Sequence, residues 1–492
     1  MICVVIPGPT YEKAFEQIQE AVKWANFLEI RLDLFDTIDI FSLQQLLKFF
    51  KIPSIVTVRR LQSGGRFLGN EKEWIAIIKQ VAGLQPNFLD LDYPVSALLM
   101  KWLKKNFPSI ALILSYHNYV EIPKNLDSLY AKMRLHPAKF YKFALQVNSS
   151  VAALQLLKWS KGKKNCLTMG MGKLGEVTRL LAPVMGQPFT YACLKEELQT
   201  AKGQLTASCL KERYNYTRLN QQTKIFALIG DPVTQSLSDI THNYYLAQAT
   251  IDAIYIKLEV KPADLKQLVF LAKALHFAGI SVTMPLKEAI VDQLDVVEEQ
   301  AALIGACNTI AFKQGKSFGY NTDAKAALDA LEEIFVVKNS RLLILGAGGA
   351  AKAIAYEATV RQAKVTILSR TESKAKQIAN AWNCCADSLD KIKNYFHAGY
   401  DVLINATSSD CPIDPSYLIP GCVVMEVNTH FFHTSFLTAA KQKKCHFVLG
   451  YEMFVRQACK QFFYWLADDY HQDQCEQLLR FRALKELTNH HS

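Results

Sequence analysis

Short apolar runs rich in β-branched and aromatic residues recur through the first two hundred positions, and a helical pattern follows each of them. The eight runs are CVVIP, FLEIRL, SIVTV, NFLDL, ALILS, FYKFAL, NCLTM and FTYA. Eight alternating strand and helix units are typical of a closed (β/α)8 TIM barrel. The pattern stops in the strand-poor stretch at 207–223. We therefore expect a first domain over residues 1–212.

A second α/β series begins with KIFALIGDPV and contains the strand-turn-helix sequence RLLILGAGGAAKAIAYEA. A glycine-rich turn after an apolar strand is typical of an open, doubly wound sheet rather than a barrel. We predict a two-lobed α/β domain over residues 222–492. Its parts are a first lobe at 222–325, a Rossmann lobe at 326–440, and C-terminal helices at 441–492 that return to the first lobe.

Composition narrows the partners and the compartment. The 492 residues are 50% hydrophobic with a net charge of +11, and Lys and Arg are scattered. We expect small acidic substrates and cofactor phosphates, and no nucleic acid. The twelve cysteines show neither zinc-site nor disulfide spacing. No basic targeting region or membrane-length apolar run is found. These features favour a metal-free cytoplasmic protein, and we expect a monomer or weak homo-oligomer.

One lysine, Lys142, lies in the middle of the sixth apolar run, FYKFALQ. An unpaired buried ammonium is unfavourable, and the usual response is a lowered pKa that leaves a nucleophilic amine. The more common alternative for a lone lysine is a wet strand face where it contacts a carboxylate. The other residues near the strand ends indicate whether Lys142 is a buried amine or a solvent-facing lysine.

Charged residues cluster at the expected carboxyl ends of the barrel strands, where active sites of such barrels lie. They are Glu29, Arg31, Asp33, Arg59, His117, Lys142 and, in a later loop, Arg179. A neutral lysine can condense with a ketone to an iminium, a histidine can move the proton from the adjacent carbon, and arginines can bind a carboxylate. The set predicts elimination of water through a Schiff base, although an aldolase would use a similar lysine.

The first half resembles type I 3-dehydroquinate dehydratase in six ordered motifs. They are E-x-R-x-D from Glu29, T-x-R with paired glycines around Arg59, S-Y-H-N-Y around His117, Y-K-F-A around Lys142, M-G-K-L-G-x-x-T-R ending at Arg179, and K-G-Q with Gln204. The resemblance implies that Lys142 forms the imine, His117 is the general acid/base and Glu29 supports this pair. It also implies substrate contacts from Arg31, Arg59, Arg179 and Gln204.

Two positions depart from this dehydratase pattern. Ser63 stands where the family has a glutamate before the paired glycines, and Gly186-Gln187 stands where bacterial members have Gly-Ser before the last strand. The missing carboxylate is one expected to orient or balance the charge of His117. We expect reduced turnover or a shifted pH optimum.

The glycine-rich turn predicts a dinucleotide site, because a pyrophosphate can approach backbone N–H groups at the helix N-terminus. Its residues are Gly346, Ala347, Gly348, Gly349 and Ala350. The next strand ends in Ser369, Arg370 and Thr371, with Lys374 a turn later, instead of the acid typical of NAD sites. These cations favour a 2′-phosphate and hence NADP(H), the alternative being ordinary exposed residues at a helix start.

Segments before and after this turn resemble shikimate dehydrogenase, which acts on the dehydratase product. The matching stretches include GDPVTQSLSDITHN, GISVTMPLKE, IGACNTI, FGYNTDAKA and GYEMFVRQACKQF. The resemblance implies a catalytic pair, Lys287 and Asp323. The implied substrate contacts are Ser236 and Ser238 for the carboxylate, and Thr283, Asn308, Gln457 and Gln461 for hydroxyls. The implied cofactor contacts are Asn405, Thr407, Ser408 and Gly450.

This half also departs from its family pattern. Gln235 replaces a histidine, Asp239 a proline and Asn428 a tyrosine that commonly reaches the substrate. We expect these changes to alter affinity before activity. The order of the two halves resembles the fused dehydratase-dehydrogenase of plants, without a transit peptide before the first strand.

Three readings follow from these resemblances. The leading one is a bifunctional enzyme that dehydrates 3-dehydroquinate to 3-dehydroshikimate and then reduces it to shikimate with NADPH. In the second, the dehydrogenase half reduces dehydroquinate to quinate, which Ser238 and Thr283 disfavour. In the third, the chain is a catalytically silent ligand sensor, which the intact Lys142 and Lys287 disfavour.

Overall fold

The computed structural model describes residues 1–428 and 434–489, and these fall into two compact units, Met1–Thr223 and Lys224–Ser492. The first unit contains all eight predicted strands. They are β1 Ile2–Ile6, β2 Phe27–Arg31, β3 Ser54–Thr57, β4 Phe88–Asp92, β5 Ala111–Asn118, β6 Phe140–Gln146, β7 Cys166–Met171 and β8 Thr190–Ala192. The helices between and after them are α1 Tyr11–Ala21, α2 Ile40–Phe49, α3 Glu71–Gly83, α4 Ala97–Asn106, α5 Leu126–Arg134, α6 Ser150–Ser160, α7 Glu176–Leu180 and α8 Ala207–Glu212.

The eight strands are all parallel and form a nearly closed barrel in the order β7-β6-β5-β4-β3-β2-β1-β8. Between β7 and β8 the described residues show no ladder hydrogen bonds, and the side chain of Gln187 spans this seam instead. Its amide accepts from the Thr168 backbone N–H at 2.9 Å and donates to the Thr168 hydroxyl at 2.6 Å. The predicted barrel is thus confirmed, with a side-chain bridge where full closure was expected.

Side chains from alternate strands fill the barrel in layers, as is usual for this fold. Phe27, Phe88, Phe140 and Phe189, from β2, β4, β6 and the residue before β8, form the lower layer. Their ring centroids lie 5.5–6.1 Å apart where they pair. Because side chains alternate in direction along a strand, the residues two positions further on form the next layer towards the carboxyl ends.

The second unit begins with a mixed six-stranded sheet in the order β10-β9-β11-β13-β14-β12. Its strands are β9 Lys224–Gly230, β10 Ala253–Glu259, β11 Phe277–Val282, β12 Val296–Val297, β13 Thr309–Lys313 and β14 Lys316–Tyr320. Its helices are α9 Ser238–Gln248, α10 Leu265–Ala274, α11 Glu299–Ile304 and α12 Asp323–Glu332. Strand β13 runs antiparallel to both of its neighbours, which makes this sheet different from the barrel.

A parallel six-stranded sheet follows in the doubly wound order β17-β16-β15-β18-β19-β20. Its strands are β15 Arg341–Leu345, β16 Lys364–Ser369, β17 Cys385–Ser388, β18 Val402–Asn405, β19 Val423–Glu426 and β20 His446–Val448. Its helices are α13 Gly349–Val360, α14 Glu372–Trp382, α15 Ile392–Ala398 and α16 Ser435–Gln442. This arrangement confirms the predicted Rossmann lobe.

Two long helices, α17 Gly450–Leu466 and α18 Gln472–Asn489, end the chain. Phe462 and Trp465 of α17 pack in one apolar cluster with Phe226 of β9 and Tyr245 of α9. The C-terminal helix α17 therefore packs against the first lobe of the second unit. Within the described ranges no helix is both long and apolar enough to cross a membrane.

Candidate active sites

Lys142 is 5% exposed, and its ammonium lies in a layer of the barrel built from Glu29, Asp90 and Tyr191. Its Nζ is 3.5 Å from Glu29 Oε1 and 3.2 Å from Asp90 Oδ2, and it stands 4.0 Å above the centre of the Tyr191 ring. The lysine is thus buried and paired at once. Neither of the two environments considered from the sequence, an unpaired core cation or a wet strand face, describes it.

Asp90 connects this lysine to a second buried cation, Arg59. The Arg59 guanidinium donates to Asp90 Oδ1 at 3.0 Å and also pairs with Asp92. Burial alone would raise the pKa of Asp90, but the charges of Arg59 and Lys142 outweigh it and hold that pKa below its ordinary value. Asp90 is therefore an ionised counter-charge shared by two cations.

His117 lies near the end of β5, and its Nδ1 is buried without a hydrogen-bond partner among the described residues. Burial, and then the charges of Arg59 and Lys142, hold the pKa of His117 well below its ordinary value of 6.5. The ring is neutral at neutral pH and is able to accept a proton. Glu29 contacts Lys142 and the Thr57 hydroxyl, and no described contact joins it to His117.

The loop that carries Ser63 lies beside Tyr119, two residues after His117. The Tyr119 hydroxyl donates to the Ser63 carbonyl at 3.2 Å, and the Tyr119 and His117 rings are nearly parallel at 6.3 Å. Gly64 fits here because a Cβ at this position would lie 2.1 Å from the Tyr119 hydroxyl. Tyr119 therefore links the loop with the missing glutamate to the strand of His117.

The arginines of the predicted substrate site differ in how fully they are engaged. Arg31 is held in a bidentate pair with Asp33 at 2.9 and 2.8 Å, and Arg59 has the two partners described above. Arg179 is buried, donates to the Gly170 carbonyl at 2.7 Å, and forms no ion pair with any residue that the structure describes. Its Nε has no partner, and burial lowers its pKa to about 10. A buried guanidinium in this state is suited to an incoming anion.

Gln204 approaches the same end of the barrel. Gly203 packs so closely on Gly172, after β7, that a Cβ would lie 2.2 Å from the Gly172 carbonyl. The Gln204 Oε1 accepts from the Thr200 backbone N–H at 2.9 Å, which leaves its amide nitrogen available as a donor.

In the second unit, Lys287 and Asp323 form a close pair, with Nζ 2.6 Å from Oδ2. The other carboxylate oxygen of Asp323 accepts from the Asn308 amide at 2.8 Å, and the same amide nitrogen lies 3.3 Å from Gln457 Oε1. These four predicted residues come from four separate segments of the chain. The structure therefore brings the expected catalytic pair and two expected hydroxyl ligands together.

Ser236 and Ser238 lie at the start of α9, where the Ser236 hydroxyl donates to the Ser238 hydroxyl at 2.9 Å. Thr283 follows β11 and is close to Gly230, where a Cβ would lie 2.4 Å from the Thr283 methyl carbon. Gln461 differs, because it is buried with its amide accepting from Ser281 at 2.7 Å and donating to the Asn308 carbonyl at 3.1 Å. Gln461 thus supports Asn308 from behind, with its amide oxygen and its amide nitrogen each engaged by a protein group.

The glycine-rich turn connects β15 to α13 as predicted. Gly346 has φ of +114°, a conformation that side chains rarely adopt, and a Cβ there would lie 2.9 Å from the Ala406 carbonyl. A Cβ on Gly348 would meet nothing within 4 Å, so open space faces the N-terminus of the helix. A Cβ on Gly349 would lie 3.1 Å from Lys287 Cβ. Ala347 and Ala350 complete this turn, which fits a pyrophosphate beside Lys287.

At the end of β16, the Ser369 hydroxyl accepts from the Thr371 backbone N–H at 3.2 Å. Arg370 and Lys374 are exposed, and neither forms an ion pair within the described part of the chain. Free cations at this position fit a 2′-phosphate, so the residues present suit NADP(H).

The segment Asn405–Ser409 lies against the glycine turn and is held by one buried carboxylate. Glu426, at 0% exposure, accepts from the Asn405 amide at 2.8 Å, and Asn405 in turn accepts from the Thr407 N–H and hydroxyl. Burial raises the pKa of Glu426 to about 7. Asn405 is fully buried and shapes the loop, while Ser408 is exposed on it.

Gly450 opens α17 next to the residues that follow β19. A Cβ there would lie 2.3 Å from the Asn428 carbonyl. Glycine is therefore required for the close approach of the two segments.

Comparison with known proteins identifies the chain. A relative from Chlamydia pneumoniae, "Shikimate biosynthesis protein AroDE", is 33% identical over 478 residues, covering 97% of either chain. The chain belongs to the family of bifunctional dehydroquinate dehydratase and shikimate dehydrogenase enzymes. A second relative, from Arabidopsis thaliana, is named "Bifunctional 3-dehydroquinate dehydratase/shikimate dehydrogenase, chloroplastic" and is 30% identical, over 94% of this chain and 81% of that one.

The two halves of this bifunctional enzyme also match separately. Residues 2–221 match the Type I 3-dehydroquinase family, 228–310 the shikimate dehydrogenase substrate binding domain, and 329–423 the shikimate / quinate 5-dehydrogenase family. "Shikimate dehydrogenase (NADP(+))" from Pyrococcus furiosus is 40% identical over 51% of this chain and 93% of that one. The protein is a bifunctional enzyme of shikimate biosynthesis that uses NADP(H), and the quinate-reducing and silent-sensor readings are not supported.

Two groups next to Lys142 in this bifunctional enzyme were missed by sequence reasoning, Asp90 and Tyr191. Both lie two residues after a layer phenylalanine, in FLDLD and FTY, at the same register as Glu29 after Phe27 and Lys142 after Phe140. The period-two alternation within the predicted strands was the signal that could have found them.

Proposed function

We propose that residues 1–212 carry the dehydratase site and residues 222–492 the dehydrogenase site, with roles assigned to the residues described above. The observation that carries the first assignment is the buried Lys142 among Glu29, Asp90 and Tyr191, with the neutral His117 and the unpaired Arg179 at the same end of the barrel. Such a group of side chains can attack a ketone and bind its carboxylate.

In the dehydratase site, the Lys142 ammonium passes one proton to the neutral His117, and its free amine attacks the ketone carbon of 3-dehydroquinate. His117 returns that proton to the departing hydroxyl, and loss of water leaves a protonated imine. This imine acidifies the adjacent C–H, from which His117 removes a proton. The electron pair then expels the neighbouring hydroxyl, and His117 returns its proton to form water. Hydrolysis of the imine releases 3-dehydroshikimate and regenerates the amine.

Arg179 is the residue we assign to the substrate carboxylate, because its guanidinium is buried, forms no ion pair with a described residue and keeps its Nε without a hydrogen-bond partner. The Gln204 amide is assigned to a substrate hydroxyl. Arg31 and Arg59 already have carboxylate partners, so we assign them to charge balance around Lys142, with substrate contact a lesser part of their role.

In the dehydrogenase site, NADPH supplies a hydride to the substrate ketone when it is bound. Lys287 donates a proton to the carbonyl oxygen. Asp323 holds the Lys287 ammonium in place and balances its charge. Ser236 and Ser238 bind the carboxylate, and Thr283, Asn308 and Gln457 bind ring hydroxyls. Gln461 and Asn405 act as supports for the groups in contact with ligand.

We assign the cofactor to the glycine turn at Gly346–Ala350, with Arg370 and Lys374 on the 2′-phosphate and Ser369 and Thr371 near the ribose. Thr407, Ser408 and Gly450 border the nicotinamide end. We also propose that the enzyme works in the cytoplasm on small molecules, without nucleic acid, as a monomer or weak homo-oligomer. Support comes from its scattered surface charge and twelve free cysteines.

A single coupled assay tests the assignment of both sites. Purified enzyme, 3-dehydroquinate and NADPH are followed at the nicotinamide absorbance. NADPH oxidation should stop in Lys142→Ala and return when 3-dehydroshikimate is added. Lys287→Met should oxidise no NADPH with either 3-dehydroquinate or 3-dehydroshikimate. The exposed Lys132→Ala and Lys266→Met serve as matched controls.

Borohydride trapping tests the imine directly. Reduction in the presence of 3-dehydroquinate should leave a covalent adduct on Lys142, located by peptide mass spectrometry. An active enzyme that yields no adduct at this residue would overturn the Schiff-base assignment.

A further inference from the structure

We infer that Lys257 and Asp239 form a positioning pair that holds the loop 234–236 in place for the carboxylate of the dehydrogenase substrate. This inference rests on the proposed role of Ser236 and Ser238. Neither Lys257 nor Asp239 touches the reacting atoms in this assignment, and both act through the loop.

The loop 234–236 has little packing of its own. Thr234 and Gln235 are exposed, and Ser236 is half-buried. The Lys257 ammonium donates to the Thr234 carbonyl at 3.2 Å and to the Ser236 carbonyl at 3.3 Å. A side chain from strand β10 therefore holds the backbone on either side of Gln235.

Asp239 fixes the direction of that lysine. It lies in the first turn of α9 and is fully buried, and its Oδ1 is 3.0 Å from Lys257 Nζ. A buried carboxylate needs a counter-charge, which the Lys257 ammonium supplies as an ion pair while its N–H groups bond the two loop carbonyls. The carboxylate and the lysine thus fix each other at the base of the loop.

The position of the pair explains a departure noted in the sequence. Asp239 stands where the family pattern has a proline, and a buried acid so close to the proposed carboxylate site would repel an anionic substrate. Lys257 neutralises that charge and uses its remaining donors to hold Ser236, whose hydroxyl bonds the Ser238 hydroxyl at 2.9 Å. Lys257, in the same chain, therefore compensates for the charge that Asp239 introduces in place of the proline.

Steady-state kinetics of the dehydrogenase test this inference. In Lys257→Met we expect the KM for 3-dehydroshikimate to rise about tenfold, because two charge-assisted hydrogen bonds to the loop are lost. The KM for NADPH should change less than twofold, and dehydratase activity of the same chain serves as an internal control. Lys257→Arg should restore most of the affinity, and Lys266→Met, at an exposed lysine of α10, should have no effect.

Two further comparisons separate positioning from a general structural role. Asp239→Asn combined with Lys257→Met should be no worse than Lys257→Met alone, since paired residues are not additive. A methyl ester of the substrate, which lacks the carboxylate charge, should show a smaller difference in KM between wild type and Lys257→Met. An unchanged KM for 3-dehydroshikimate in Lys257→Met would overturn the inference. An equal rise in the KM for 3-dehydroshikimate, for its methyl ester and for NADPH would also overturn it.

Ser236→Ala and Ser238→Ala distinguish this inference from the assignment beneath it. If both leave the KM for 3-dehydroshikimate unchanged, the carboxylate site is elsewhere and the proposed function is at fault. If they raise it while Lys257→Met does not, the site stands and only the positioning pair is rejected.

Discussion

Inside the barrel, a single buried carboxylate pairs with two cations rather than with one. Asp90 serves both Lys142 and Arg59, and Asp92 serves Arg59 together with Arg60. A buried lysine can be recognised in a sequence because it interrupts an apolar run. Its partners could not be chosen from the sequence alone, because several strands carry acids and only the barrel register decides which one faces Nζ.

Asp90→Asn should destabilise the first unit. Two buried cations lose a shared counter-charge while the shape is kept, and breaking a buried ion pair costs about 3–5 kcal/mol. Denaturant unfolding, monitored by the loss of dehydratase activity, measures the change in the free energy of unfolding. The matched variant Asp127→Asn, whose side chain is 74% exposed, should change the free energy of unfolding by less than about 1 kcal/mol. Equal stability in both variants would show that Asp90 is not needed as a counter-charge.

Ser63→Glu should move the pH dependence of the dehydratase. The pKa of His117 is held below 6.5, so the acidic limb of kcat/KM is expected below pH 6.5 in wild type. A new carboxylate on the loop that Tyr119 links to the strand of His117 favours the protonated ring, which raises that pKa and shifts the limb to higher pH by about one unit. Ser63→Ala should keep the wild-type limb. Identical limbs in all three proteins would mean that position 63 has no influence on His117.

Elements were easier to predict than contacts in this chain. Eight alternating runs identified every barrel strand, and the apolar strand before the glycine turn located β15 and α13. The seam between β7 and β8 escaped prediction because β8 has three residues, too few for a periodic signal. The hydrogen bonds of Gln461 to Ser281 and Asn308 could not be predicted either, since residues one helical turn apart look equivalent in a sequence.

Helix α9 contains a buried histidine that makes the second unit sensitive to acid. His242 Nδ1 bonds the Thr241 hydroxyl, the ring packs on Tyr255 and Phe462, and burial lowers its pKa to about 3. The unfolded chain takes up this proton near pH 6.5, so stability is complete above that pH and falls towards pH 3, by about 1.4 kcal/mol per pH unit.

His242→Phe should remove that part of the pH dependence. Between pH 7 and 5 the wild-type free energy of unfolding should fall by about 2 kcal/mol more than that of the variant. Loss of the hydrogen bond to Thr241 changes the free energy of unfolding of the variant by an amount that does not depend on pH. Denaturant unfolding of the second unit measures both, and His397→Phe, at an exposed histidine, should keep the wild-type slope. Parallel slopes in wild type and His242→Phe would contradict the assignment.

At the scale of the whole molecule, each unit contains a complete set of chemical groups. The predicted dehydratase residues all lie in Met1–Thr223, and the predicted dehydrogenase residues all lie in Lys224–Ser492. The product of the first reaction is the substrate of the second, so fusion guarantees equal numbers of the two sites. Because the residues assigned to each site lie within one unit, we expect the intermediate to pass through solvent.

Mixing two single-site variants tests this expectation. Lys142→Met retains the dehydrogenase and Lys287→Met the dehydratase, so an equimolar mixture has the same concentration of each working site as wild type at half its total protein. With 3-dehydroquinate and NADPH, both samples should show the same lag while 3-dehydroshikimate accumulates, followed by the same steady rate. Either variant alone should oxidise no NADPH. A shorter lag in wild type than in the mixture would contradict free diffusion, because only the intact chain has both working sites together.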